Sequence, residues 1–357
     1  MKRLGDYIRP VDVRNRDLKV TRLLGVSISK EFMPSIANTI GTDMSNYKIV
    51  TPGQFVYIAD TSRRGDKIAI ALLSRKEASS LVSAIYTVFE VINENELDPE
   101  YLMMWFRRPE FDRYARFHSH GSAREVFGWD EMCEVRLPIP PIERQREAVA
   151  EYNAIGNRIA QNKRLIATLE ETARAIYRRT FVDGIDPNNL PAGWRMGTLG
   201  EVANISSGKT CSNKKDEPSD EYKFPVAGAS GIIGYSNTFN QEKKLLTTGR
   251  VGTLGVVKRY KGKIFAADNV LVIETEHYEF CFQALNHLDY TTITKGGVQS
   301  LITQTDLKNI PIVIPPKPTL NAFENECSKL FEFKELKEKE NQTLTQMQTI
   351  LLAKMGM

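Results

Sequence analysis

Cysteine is scarce in this chain: four in 357 residues, at Cys133, Cys211, Cys281 and Cys327. No two of them form a Cys-x-x-Cys pair, which excludes a disulfide framework and a zinc site and suits a reducing cytoplasm. Long hydrophobic runs are missing too. None approaches the ~18 residues that a membrane span requires. The opening MKRLGDYIRP has no apolar core, so no signal peptide is expected. Charge of one sign is not in large excess, since the formal net charge is +4. What positive charge there is falls in clusters, which matters more than its sum.

Several catalytic patterns are also missing. An enzyme that methylates an adenine amino group needs Asn or Asp before Pro-Pro to hold that group. Here Pro140-Pro141 and Pro315-Pro316 follow isoleucine. A metal-dependent nuclease needs clustered carboxylates with a lysine. Glu335-Leu336-Lys337 has the letters but no acidic partner upstream. No Ser-His-Asp or Cys-His constellation can be assigned, and no metal site is expected. Residues 203–210, ANISSGKT, approach the phosphate-binding pattern G-x-x-x-x-G-K-[ST], but Ala203 stands where the first glycine belongs. Residues 249–255, GRVGTLG, lack the spacing of a dinucleotide loop and read better as a hairpin.

Proline is absent from one long stretch, and that stretch organises the rest. From Ile142 to Val182 there is no proline and one glycine, Gly156. Seam positions Tyr152, Ile155, Ile159, Ile166, Leu169, Ala173 and Ile176 follow alternating steps of three and four, with Asn162 filling the one gap, as in a coiled coil. About 40 residues of helix span roughly 60 Å. Such a seam needs a partner helix. Asn162 either fixes the register of that pairing, as polar seam residues do, or is a surface asparagine.

A long-period repeat supplies the partner. Residues 121–141 align without a gap on residues 296–316, pairing Gly121 with Gly296 and Ile139-Pro140-Pro141 with Ile314-Pro315-Pro316. Val126, Phe127, Met132 and Val135 meet Leu301, Ile302, Leu307 and Ile310. The register continues into the helices, where Leu169 meets Leu344 and Ile176 meets Leu351. Each half opens alike, Leu4-Gly5-Asp6-Tyr7 against Leu199-Gly200-Glu201-Val202. The second helix, 317–357, carries a stripe at Phe323, Cys327, Leu330, Phe333 and Leu336, a polar middle, and a resumption at Leu344, Met347 and Leu351.

The predicted order is therefore a globular domain at 1–141, a helical spacer at 142–182, a Pro/Gly/Asn linker at 183–193, a second domain at 194–316 and a second spacer at 317–357. The class is mixed α/β (α+β), with strands near 48–50, 54–59, 67–73, 82–92, 256–257, 269–274 and 310–314. Helices are expected at 99–117 and near 279–288. The two spacers can pair antiparallel as a coiled coil, relating the domains by a pseudo-twofold axis.

This arrangement resembles the specificity subunits of type I restriction-modification systems. The resemblance rests on a mixed domain ending in Leu137-Pro-Ile-Pro-Pro141, a helix opening Glu143-Arg-Gln145, then Leu190-Pro-Ala-Gly-Trp194 and a second such domain. The second half departs in lacking the Glu-x-Gln opening after Pro315-Pro316, and the first in lacking the Pro-x-Gly-Trp lead. The resemblance implies two target recognition domains, each reading half of a bipartite double-stranded DNA target, and a chain with no catalysis of its own. The helices would serve as ruler and as docking surface for two methyltransferase subunits, with an endonuclease/translocase joining the full complex. S-adenosylmethionine, ATP and magnesium would bind to those partners, not to this chain. Two unlike domains imply an asymmetric target, with half-sites roughly one helical turn, ~34 Å, apart. The same domains could serve another multi-subunit modification or defence system. A coiled-coil scaffold with no DNA role, or a nucleotide-binding enzyme using the 203–210 loop, would be readings of another class.

Candidate DNA contacts follow from the basic clusters. In the first domain these are Arg63, Arg64 and Lys67, and then Arg113, Arg116, His118, His120 and Arg124, with Tyr114 and Phe117 among them. In the second they are Lys209, Lys214, Lys215, Lys258, Arg259, Lys261, Lys263, Lys295 and Gln299. Arginine suits guanine, Gln or Asn suits adenine, and lysine suits phosphate. Arg124 and Gln299 hold equivalent positions in the repeat. The histidines read as polar groups near DNA, since no carboxylate or cysteine completes a metal site.

Overall fold

A computed structural model describes residues 1–35, 41–60, 67–121, 125–251, 254–290 and 301–356. The chain forms two compact units. The first comprises Met1–Asn162 and Lys339–Met357, and the second Lys163–Glu338. Each long helix therefore contributes to both.

The first unit is built on a four-stranded antiparallel sheet in the order Ile8–Val11, Thr87–Val91, Phe55–Tyr57, Ile70–Leu72. Alternation along these strands puts Phe55 and Phe89 face to face across the sheet, with ring centroids 4.8 Å apart. Helix α1 (Pro99–Phe106) covers that face and places Phe106 edge-on to both rings. The expected single helix over 99–117 is two helices, α1 and α2 (Pro109–Phe117). Pro109 has no N–H to donate and so begins a new helix at its first turn. The expected strand over 82–92 is likewise interrupted, by a turn in which Tyr86 N–H donates to the Ser83 carbonyl. Helix α3 (Trp129–Glu134) and the paired strands Lys2–Arg3 and Arg136–Leu137 complete the frame.

Helix α4 (Ile142–Phe181) follows. In the first unit its opening is fastened by Gln145, which is 0% exposed. The Gln145 carboxamide accepts from Asp98 N–H at 2.9 Å and donates to the carbonyls of Glu96 and Pro140, both at 2.8 Å.

The second unit repeats the plan. Its main sheet runs Asn204–Ser207, Val270–Glu274, Leu245–Gly249, Lys258–Tyr260, again all antiparallel and in the same order. Strands Arg195–Thr198 and Pro311–Ile314 pair as their counterparts do. Helices α5 (Leu199–Val202), α6 (Tyr278–His287) and α7 (Gln304–Lys308) occupy the positions of the Leu4–Asp6 turn, α1 and α3. The expected strand at 256–257 begins two residues later, at Lys258. A second sheet, Lys214–Lys215, Gly231–Ser236, Phe224–Gly228 and Phe265–Ala266, stands where the first unit has two strand pairs.

Helix α8 (Lys317–Lys354) closes the chain. Leu320, 175 positions beyond Gln145, is buried at the same place in the repeat. The polar fastening therefore becomes an apolar one. In the second unit the start of α6 is held by Glu324 of α8, whose carboxylate accepts from Phe280 N–H at 2.8 Å and Glu279 N–H at 3.0 Å.

Within each unit the segments of α4 and α8 run antiparallel. In the first, Asn162 is 2% exposed and donates to Asn341 Oδ1 at 3.0 Å, and Arg158 pairs with Glu340 at 2.6 Å. In the second, Lys334 pairs with Glu170 at 2.7 Å. Asn162 is thus a buried pairing residue, and the polar middle of α8 supplies its partner. Three stripe residues of the second helix are corrected. Phe333, Leu336 and Met347 are exposed, at 42, 61 and 46%, and Phe331 is the buried ring. The step from Cys327 to Phe331 is four residues, which moves the stripe on to Lys334 and Asn341 and turns Phe333 outward. Tyr152, Ile155, Ile159, Ile166, Leu169, Ile176, Leu330, Leu344 and Leu351 are all half-buried.

Candidate nucleic-acid interface

The basic residues do not all remain free once the chain folds. In the first unit, Arg113 on α2 is mostly exposed and bonds Glu110 at 3.2 Å. Arg116 pairs with Glu125. His118, just past the end of α2, donates from Nδ1 to the Tyr114 carbonyl at 2.9 Å and stacks on that ring with centroids 4.0 Å apart. His120 is exposed and lies 3.9 Å from Glu131. Lys67 is exposed. Beside these groups Phe117 is 82% exposed. A phenyl ring so uncovered is unusual on a folded surface and fits contact with a partner. Arg63, Arg64 and Arg124 lie outside the described residues.

In the second unit, Lys209, Lys214 and Lys215 are exposed, and Lys215 sits over the Tyr222 ring at 4.3 Å. Lys258 is half-buried. Lys263 pairs with Glu242 at 3.3 Å, and Lys261 with Glu335 of α8 at 2.8 Å. Lys295 and Gln299 lie outside the described residues.

Arg259 is the one clear correction. Its guanidinium donates to both oxygens of Glu279, at 2.6 and 2.8 Å, and Glu279 is 1% exposed. The same group lies 3.8 Å above the Phe331 ring and 4.9 Å from Phe282 and Tyr278. A buried carboxylate demands such a partner, so Arg259 points into the core and not toward DNA. Strand alternation turns Lys258 and Tyr260 the other way, whereas Lys261, just past the strand, also reaches α8 at Glu335.

The glycine-bearing loop at 203–210 is a strand end. Asn204–Ser207 lies in the sheet, and the chain continues to strand Lys214–Lys215 without the helix that a phosphate loop requires. Gly208 is obligatory here for another reason. A Cβ on it would stand 2.0 Å from the Ala267 carbonyl oxygen. That close approach sets Ser207, Lys209 and Thr210 beside the Asp268–Asn269 turn, where Thr210 donates to Asp268 at 2.8 Å.

Arg250 was not singled out by its sequence, because it is a lone charge in a glycine-rich run. It directly follows the strand Leu245–Gly249, half-buried, with Nη1 3.5 Å from Ser207 Oγ. Ser207 Oγ also accepts from Gln304 Nε2 at 2.7 Å. The two units superpose their hydrogen bonds at this point. Ile302 N–H donates to the Arg250 carbonyl, as Phe127 N–H does to that of Ala59. The register of the repeat could have located the position, though not the role.

Among the described residues no group of His, Cys, Asp and Glu could hold a metal ion, and no helix is long and apolar enough to cross a membrane.

Comparison with known proteins agrees with the topology. Residues 191–346 match the family model described as Type I restriction modification DNA specificity domain. The chain is 20% identical over 284 residues to the Type I restriction enzyme MjaIX specificity subunit of Methanocaldococcus jannaschii, covering 68% of this chain and 64% of that relative's length. A crystal structure of a type I restriction-modification system S subunit from M. genitalium matches with a TM-score of 0.63 at 15% identity, over 100% of this chain and 95% of that one. The match to the specificity-domain model lies in the second half of the chain, and the whole chain shares the fold of the M. genitalium structure.

Proposed function

We propose that this chain is the DNA-recognition subunit of a type I restriction-modification complex. The observation that carries the reading is the duplicated frame. One sheet order and one set of edge strands and helices occur twice, with different surface residues on each. Two such units read two different half-sites, so the target is bipartite and asymmetric.

Catalysis belongs to partners. The sequence has isoleucine, not Asn or Asp, before both Pro-Pro pairs, and S-adenosylmethionine, ATP and magnesium are assigned to the methyltransferase and endonuclease subunits. Helix α8 supports protein docking, because Phe333, Leu336, Met347 and Ile350 lie exposed along it at helical spacing. Two copies of a methyltransferase, one for each repeat, are the expected complement.

Mapping N6-methyladenine across the genome, with and without the gene, tests the reading. A motif of two unlike half-sites around an unread spacer should lose methylation on deletion. Persistence of every methylated motif would refute the proposal.

A further inference from the structure

We propose that Arg250 reads a guanine in the half-site bound by the second unit. The inference rests on the DNA-recognition reading above. It begins from a contrast among cations. Arg195, Lys243, Arg259, Lys261 and Lys263 each face a carboxylate of the second unit within 4 Å. Among the described residues no carboxylate faces Arg250 at that distance. Its Nε is shut off from solvent without a hydrogen-bond partner. A half-buried guanidinium left in this state is costly to keep, and an acceptor meeting its terminal nitrogens offsets that cost.

Its surroundings define the acceptor. The Arg250 main chain is pinned on both sides, its N–H donating to the Asn269 carbonyl and its carbonyl accepting from Ile302 N–H, both at 3.0 Å. Ser207 Oγ, fixed by Gln304, orients the guanidinium from one edge. Nearby, on the Asp268–Asn269 turn, Asn269 Oδ1 is also buried without a hydrogen-bond partner. Phosphates are met by mobile exposed lysines, which this unit has in Lys209, Lys214 and Lys215. A guanidinium on a pinned main chain, with one edge on Ser207, instead offers a two-pronged donor, which matches O6 and N7 of guanine in the major groove. The equivalent position in the first unit is Ala59, so the two frames present different chemistry at one place.

The test is Arg250→Lys in the native gene, followed by genome-wide mapping of N6-methyladenine. Lysine keeps the charge and loses the fork. The expected result is a motif whose first half-site is unchanged and whose other half-site loses preference at one G·C pair, by roughly 5- to 150-fold. The intact first half-site shows that the subunit still folds and assembles. Uniform weakening at all sites with an unchanged motif would mean a phosphate contact and would overturn the proposal, as would no change. If Arg250→Lys abolishes methylation, Gln304→Ala decides: blurring of one G·C position supports the proposal, and an unaltered motif refutes it. Absence of any bipartite motif in the wild type would sink the recognition reading itself, a result distinguishable from all of these.

Discussion

Arg259 offers the sharpest test of how charge was sorted between core and surface. Alanine at this position leaves Glu279, 1% exposed, with Lys244 at 3.4 Å as its remaining cation among the described residues. Removing one member of a buried ion pair costs about 3–5 kcal/mol. The remaining lysine offsets part of that, while loss of the guanidinium from Phe331, Phe282 and Tyr278 adds to it. A net loss of about 3 kcal/mol lowers the midpoint of a unit this size by roughly 6–12 °C. Hydrogen exchange read by mass spectrometry localises the effect, with faster exchange in α6 and little change in the first unit. Arg259→Lys should fall between, since it restores charge without the fork. DNA affinity of the assembled complex should keep its salt slope. The reasoning is refuted if α6 protection is untouched while affinity falls and the slope decreases by about one, the mark of a lost phosphate contact.

Two further outcomes are expected. Asn162→Leu strands Asn341 and should destabilise the first unit by about 1–2 kcal/mol, whereas Asn162→Leu with Asn341→Leu should recover that loss in urea titrations. Burial and the neighbouring Glu279 carboxylate push the Glu324 carboxyl up, outweighing the two backbone N–H groups that pull it down. A raised carboxyl binds its proton more tightly in the folded state. Its contribution is therefore full below the ordinary glutamate value and is lost as pH rises through the folded one. Thermal unfolding of the second unit should show that decline, and Glu324→Gln, which keeps a carbonyl acceptor, should flatten it.

The repeat was legible in the sequence because the residues that build the frame are apolar and local in pattern. Gly121, the Pro-Pro ends and the Val126/Leu301 positions recur at a fixed spacing, and the long helices follow from the absence of proline. Pro109 was equally visible, yet its consequence, two helices in place of one, depended on α2 finding its own packing against Phe106 and Phe127. The seam of α8 could not be placed from letters alone. Phe331 and Phe333 are equally apolar, and only pairing with α4 selects the first.

Periodicity by itself determined that this chain would fold one plan twice. That property resides in residue type and spacing. The fate of each charge was decided by tertiary structure, because an arginine is written the same way whether it meets a buried carboxylate, as Arg259 does, or none among the described residues, as with Arg250. Electrostatic role depends on distance and burial, and chain folding alone brings Glu279 within 2.6 Å of one and Ser207 within 3.5 Å of the other.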